Sequence, residues 1–272
     1  MKTKNCPSST ANCQLPTDNL NVLTVAGFDP SGGAGLLADV KVFEQHGLTG
    51  LAVNTANTYQ NDTEFDGVDW MTVNQIEKQL VVLLRKFEVR YVKIGLIENL
   101  TTLKQVIDLL EKYAVGKPPK IIWDPILKAS AGFEFHQNVD KDQLTSILKR
   151  VYIVTPNLDE ANTLFPNTDW ENIEVSPTNC NVLLKGGHGT SEQSTDVLYT
   201  ETGKQEFVGE RTHNDKHGTG CVLSAAIIAN LAGCFDLPRA CLKAKEYVTQ
   251  FIASNNTMLG NHKRIKLNDN TY

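Results

Sequence analysis

NVLTVAGFDPSGGAGLLADVKVF, residues 21–43, decides how the chain is read. Asn21 to Ala26 is a short apolar run rich in β-branched side chains, the pattern of a strand, and it stops at Gly27. The loop Gly27 to Gly35 holds four glycines, and Leu36 to Phe43 then carries a helical periodicity that Gly47 closes. Strand, glycine loop and helix in that order make a cradle for a ligand; a tight βα connection accounts for the same residues equally well. Neither nucleotide fingerprint is met, because the loop lacks G-x-x-x-x-G-K-[ST] and its glycines miss the G-x-G-x-x-G frame.

The alternation continues outward from this unit. Strand patterns are expected at Leu51–Thr58, Arg90–Ile94, Lys120–Trp123, Val151–Val154 and Asn181–Leu184, with a late hairpin at Thr195–Thr200 and Glu206–Val208. Helices are expected at 73–87 after the cap Thr72, at Thr101–Tyr113, at 141–150 after Asp140, from Gly218 to Gly233, and from Asp236 to about Ser254 with Pro238 in the first turn. Strands alternating with helices predict a single α/β domain, a mostly parallel sheet covered on both faces. The expected extents are a mobile N-terminal tail over 1–20, the domain over 21–259 and a polar tail over 260–272.

Of 272 residues, 41% are hydrophobic and 21% charged, the balance of an ordinary globular protein. A formal net charge of −5 argues against nucleic acid or an anionic membrane as partner, since both need a basic surface. No run approaches the roughly 18 apolar residues of a membrane span, and the first twenty residues lack the apolar centre of a secretion signal. Six cysteines show no C-x-x-C pair and no Cys/His ligand spacing, so free thiols in a cytoplasmic protein are expected.

Polar clusters recur where strands end. HGTGCVLSAA, residues 217–226, leads two glycines into an apolar helix: Gly218 and Gly220 let the backbone bring several N–H groups to one point, where the helix dipole favours an anion. Cys221 falls in the first turn, where that field is expected to lower its pKa and make it a candidate base. A glycine turn before a core helix, with Cys221 as small buried filler, is the alternative. Gln60 offers a donor and an acceptor to a heterocycle edge, or is a solvated loop amide. Asp124 ends a strand, where it can hold hydrated Mg²⁺ or simply open a turn before Pro125. Asn157 and Glu160, three apart, can share a metal-water shell or form a capping box. Lys185 would put an ammonium beside phosphates, or is a solvated lysine before a turn.

In order, AGFDPSGGAGLLADVK, TYQND, VKIGLI, DP, TPNLDEA, LLKGGH, DVLY and HGTGC-x-LSAA closely resemble the hydroxymethylpyrimidine and phosphomethylpyrimidine kinases of thiamine biosynthesis, in the ribokinase superfamily. The resemblance spans roughly residues 20–255. It implies a three-layer, Rossmann-like α/β/α fold, ATP with Mg²⁺ as phosphoryl donor, a hydroxymethylpyrimidine acceptor and a homodimer. It places Gly27, Asp29, Ala34, Thr58, Gln60 and Leu96 at the pyrimidine site, with Gln60 as reader of the ring. Asn157, Lys185, Gly187 and Thr219 fall on the nucleotide side, and Asp124 and Glu160 with the metal. Gly218, Gly220 and Cys221 form the catalytic turn, Cys221 standing where most of the superfamily has an aspartate base. Phe28, Leu37, Thr58 and Leu96 depart from the family pattern, as does the stretch from Lys128 to Phe135. Pyridoxal is the alternative acceptor, and a binding protein without phosphoryl transfer is a third reading, which retention of the phosphate machinery disfavours.

Overall fold

The computed structural model describes residues 20–127, 140–186, 193–211 and 215–263. Its strands form one sheet: β1 (Asn21–Phe28), β2 (Thr49–Gln60), β3 (Phe65–Trp70), β4 (Tyr91–Ile94), β5 (Lys120–Trp123), β6 (Ile153–Val154), β7 (Asn181–Leu184), β8 (Gln193–Thr200) and β9 (Gly203–Glu210). The spatial order is β3-β2-β1-β4-β5-β6-β7-β8-β9. From β2 to β7 every neighbouring pair is parallel, while β3, β8 and the β8–β9 pairing add antiparallel edges.

Seven helices among the described residues cover the two faces: α1 (Gly35–Gln45), α2 (Val73–Leu84), α3 (Leu100–Tyr113), α4 (Lys141–Leu148), α5 (Leu158–Leu164), α6 (Thr219–Ala232) and α7 (Leu237–Ile252). Strand residues divide by the two-residue period. Leu23, Ile121, Val154 and Val182 join a core with α2 to α5, whereas Val22, Ile122, Ile153 and Leu183 face α1, α6 and α7. Each fully buried aliphatic side chain contributes about 1.5–3 kcal/mol, which is why the two cores fix both the register and the layering. Every residue of α6 from Cys221 to Ala232 is buried, and its alanines let α7 and the sheet approach closely.

Most expected elements appear with shifted ends. Asp140 caps α4 by accepting from Asp142 and Gln143 N–H, and Thr72 forms a full capping box on α2, which ends at Leu84 rather than residue 87. β6 has two residues instead of four, and the hairpin is longer on both strands than expected. β3 was not foreseen: FDGVDW is an edge strand with no fully buried residue, so no alternation marks it. The packed chain also passes Gly260, for His262 sits 4.7 Å from the Phe251 ring centroid and bonds Tyr247 Oη at 3.0 Å. Cys180, Cys221 and Cys241 are free thiols, but Cys234 is disulfide-bonded, against the expectation for that residue. Residues 1–19, Lys128 to Phe135, Gly187 and the end of the C-terminal segment from residue 264 lie outside the described residues.

Candidate active site

β1 is followed in sequence by β2 on one side and in space by β4 on the other, so the strand order reverses beside β1. Crevices at such points, outside the carboxyl ends of parallel strands, are where α/β sheets bind ligands. The loops after β1, β4, β5, β6 and β7 open there, and α6 packs against β1, β4 and β5.

Two loops are clasped together at this edge. Gly218 caps α6 in the left-handed region (φ 79°), and a Cβ at this position would lie 2.0 Å from the Gly33 carbonyl oxygen, so only glycine lets the mouth of α6 meet the loop after β1. His217 Nε2 lies 2.8 Å from Asp29 Oδ2. Asp29, 1% exposed, also accepts from Ser31 N at 2.9 Å, Ser31 Oγ at 2.8 Å and Ala34 N at 2.8 Å. Burial would raise its pKa, but the bonds from His217, Ser31 and Ala34 outweigh that and hold it below the usual carboxylate range. Asp29, expected at the acceptor, thus has both oxygens engaged in bonds within its own loop and to His217.

Among the residues expected at the acceptor, a Cβ on Gly27 would lie 2.8 Å from Leu96 Cδ2, so the missing side chain is what admits Leu96 over β1. Thr58 Oγ1 donates to the Phe28 carbonyl at 2.9 Å, and Thr55 Oγ1 to that of Leu96 at 2.6 Å, tying β2 to the neighbouring loops. Gln60 is the half-buried last residue of β2, beside a register shift at Tyr59/Gln60, and half-buried Ala34 precedes α1.

Among the residues expected beside phosphate and metal, Lys185 Nζ lies 2.9 Å from Asp124 Oδ1 and 3.6 Å from Glu160 Oε2. Burial disfavours its charge, yet the two carboxylates outweigh this and raise its pKa. Asp124, 1% exposed, is raised by burial but lowered more by Lys185 and Lys93; Thr155 Oγ1 and Ser224 Oγ each donate to it at 3.2 Å. Glu160 and Asn157 form a reciprocal capping box on α5, both bonds 2.8 Å, while burial raises the Glu160 pKa. The capping reading of Asn157 and Glu160 is therefore met, and Lys185 nonetheless links Glu160 to Asp124. A Cβ on Gly220 would lie 3.4 Å from Lys185 Nζ and 3.9 Å from Asp124 Oδ2, so the first turn of α6, with half-buried Gly218, Thr219 and Gly220, faces this pair. N–H groups of a first turn lack intrahelical acceptors, so this corner combines a fixed ammonium with free donors, an anion site of the kind phosphate needs.

Cys221 departs from expectation. It is 6% exposed, and burial pushes its thiol up to about 11 rather than down. Loss of hydration outweighs the Lys93 ammonium and the Gly35 N–H, which both favour thiolate, while Asp39 and Asp124 oppose it. The sulfur is therefore enclosed, but among charged groups rather than in a purely apolar interior. Lys93, Asp39 and His217, which the sequence motifs do not single out, are buried charged or polar groups beside this edge. A lysine inside the strand YVKI and an aspartate at an apolar position of α1 were the available signals, since isolated charges on core faces need partners.

The sequence profile of a family described as phosphomethylpyrimidine kinase matches residues 29–266. The hydroxymethylpyrimidine/phosphomethylpyrimidine kinase of Aquifex aeolicus (strain VF5) is 33% identical over 250 residues, 88% of this chain and 96% of that protein. The crystal structure of phosphomethylpyrimidine kinase from Clostridium difficile 630 is similar with a TM-score of 0.68 at 28% identity, covering 85% of this chain and 99% of that one. A Bacillus subtilis pyridoxal kinase in complex with ADP shares the fold, with a TM-score of 0.74 at 23% identity and coverage of 91% and 98%. With the profile covering most of the chain and a relative of matching length at one-third identity, the chain belongs to the phosphomethylpyrimidine kinase family.

Proposed function

We propose that the protein transfers the γ-phosphoryl group of ATP to the 5-hydroxymethyl group of 4-amino-5-hydroxymethyl-2-methylpyrimidine, and then a second phosphoryl group to the resulting monophosphate, within thiamine biosynthesis. One arrangement carries this reading: Lys185, Asp124 and the first turn of α6 meet at one corner, with Cys221 in that same turn.

The acceptor hydroxyl oxygen attacks the γ-phosphorus as the bond to the bridging oxygen breaks and ADP leaves. N–H groups of the Gly218 to Cys221 turn and the Lys185 ammonium hold the negative charge that spreads over the migrating group. Cys221 Sγ accepts the hydroxyl proton. Gly27, Ala34, Thr58, Leu96 and Gln60 would hold the ring; Asn157, Thr219 and Gly187 complete the nucleotide side by family position. The donor set near the phosphates is two carboxylates, Asp124 and Glu160, hard oxygen ligands of the class magnesium takes together with nucleotide phosphates and water. These residues fit Mg²⁺ held through its water shell, and bound there it would offset charge on the nucleotide phosphates.

The test is kcat/KM, read as ADP release, for hydroxymethylpyrimidine, its monophosphate and pyridoxal side by side. The two pyrimidines are expected to exceed pyridoxal at least tenfold, about 1.4 kcal/mol in transition-state binding. A preference for pyridoxal would reassign the acceptor, and no turnover with any of the three would favour a binding protein.

A further inference from the structure

The DVLY motif has no part in the transfer step above, yet its first residue, Asp196, is a buried acid inside β8. Asp196 shares a face of the strand with Leu198 and lies opposite Phe207 of β9, so its side chain turns to the layer of α6 and α7. There its Oδ2 lies 2.9 Å from Nζ of Lys245, a buried lysine of α7. A Cβ on Gly209 would lie 3.0 Å from Lys245 Cε, so the bare backbone of β9 gives the lysine stem its passage to β8. An apolar pair would usually stabilise such a site as well or better, so fastening α7 to the sheet does not by itself explain the acid.

The other carboxylate oxygen points to its task. Asp196 Oδ1 accepts from the Gly186 N–H at 2.8 Å, and Arg211 Nη2 donates to the Gly186 carbonyl at 3.2 Å. A Cβ on Gly186 would lie 2.0 Å from the Thr195 carbonyl oxygen, so this residue is also pressed directly onto β8. On the other side of Lys185, its own N–H donates to the Pro156 carbonyl at 2.8 Å. The lysine that meets Asp124 and Glu160 is therefore flanked by two fixed peptide groups, and a side chain held in this way loses less freedom on meeting a phosphate. We propose that Asp196 is a positioning residue: its Oδ1 fixes the Gly186 N–H, and with it the backbone from which Lys185 reaches the phosphate corner, while Lys245 orients the carboxylate. The inference deepens the kinase reading and rests on Lys185 as the cation beside phosphate.

The test compares two double variants, neither of which leaves a lone buried ion. Asp196→Asn with Lys245→Met keeps an oxygen to accept from Gly186, whereas Asp196→Leu with Lys245→Met has nearly the same shape and no acceptor. The readout is the Kd for ATP with Mg²⁺ and no acceptor substrate, by isothermal titration calorimetry, with Lys185→Met as reference. The leucine variant is expected to bind ATP about fivefold more weakly or worse, and the asparagine variant to stay within about twofold of wild type. Asp196→Ala with Lys245→Met carries the same expectation where the leucine variant does not fold. A role confined to fastening α7 would cost both double variants the same stability and leave their Kd values alike; equal Kd values, high or low, would overturn the inference. If Lys185→Met still weakens ATP binding in that case, the kinase reading of Lys185 stands without it. An unchanged Kd in Lys185→Met would overturn that reading and this inference together.

Discussion

His217 Nε2 lies 2.8 Å from Asp29 Oδ2, joining residues 188 positions apart and pinning the mouth of α6 to the loop after β1. Because Asp29 also holds Ser31 and Ala34, Asp29→Ala would leave several donors unpaired in the interior. We expect a loss of about 2–4 kcal/mol in urea unfolding together with impaired turnover. A variant of unchanged stability would show that the clasp is incidental.

Gly220 separates stability from catalysis. Alanine is the better helix former by roughly 0.8–1 kcal/mol, and a Cβ at 3.4 Å from Lys185 Nζ is tight but tolerable. Gly220→Ala should therefore fold at least as stably as the wild type, yet its methyl group would intrude on the corner proposed to hold phosphate. The expected outcome is an unchanged or higher Tm with ATP turnover reduced tenfold or more; retained turnover would move the phosphate away from this turn.

Much of this was legible in the sequence. Strand and helix patterns placed most elements because buried faces must be apolar, and capping residues such as Thr72, Asn157 and Asp236 announced helix starts chemically. Local pattern could not show what depends on distant partners. Gly218 needs a glycine because of Gly33, Asp29 turns inward because His217 arrives from far along the chain, and Lys93 is tolerable because α1 brings Asp39. The Cys221 pKa departs from its sequence expectation for the same reason: helix position is local, whereas the desolvation that outweighs it comes from packing.

Lys185→Met removes the charge shared by Asp124 and Glu160. The expected result is a raised ATP KM and turnover about 10²-fold lower, with the acceptor KM little changed. Should the acceptor KM rise while the ATP KM stays put, Lys185 would belong to the other half of the crevice.

Acid stability should report His262. Burial, with Lys41 and His46 nearby, lowers its pKa to about 4, against an ordinary value of 6.5. Between those values the unfolded chain binds the proton more readily, so stability rises with pH from about 4 to 6.5 and is lost on acidification through that window. His262→Gln should flatten this part of a Tm-against-pH curve; an unaltered slope would assign it to other groups.

Under the proposed function, Cys221, at the mouth of α6, takes the acceptor's proton while the same turn holds the migrating phosphoryl group. With the thiol near 11, the wild-type rate should climb with pH across the neutral to mildly alkaline range, because ever more thiolate is present. ADP release by Cys221→Ala, measured beside wild type with ATP, Mg²⁺ and hydroxymethylpyrimidine, is the most direct test. A fall of about 10²-fold or more and loss of the alkaline climb, with ATP affinity unchanged, are expected; turnover near that of the wild type would rule out Cys221 as the base.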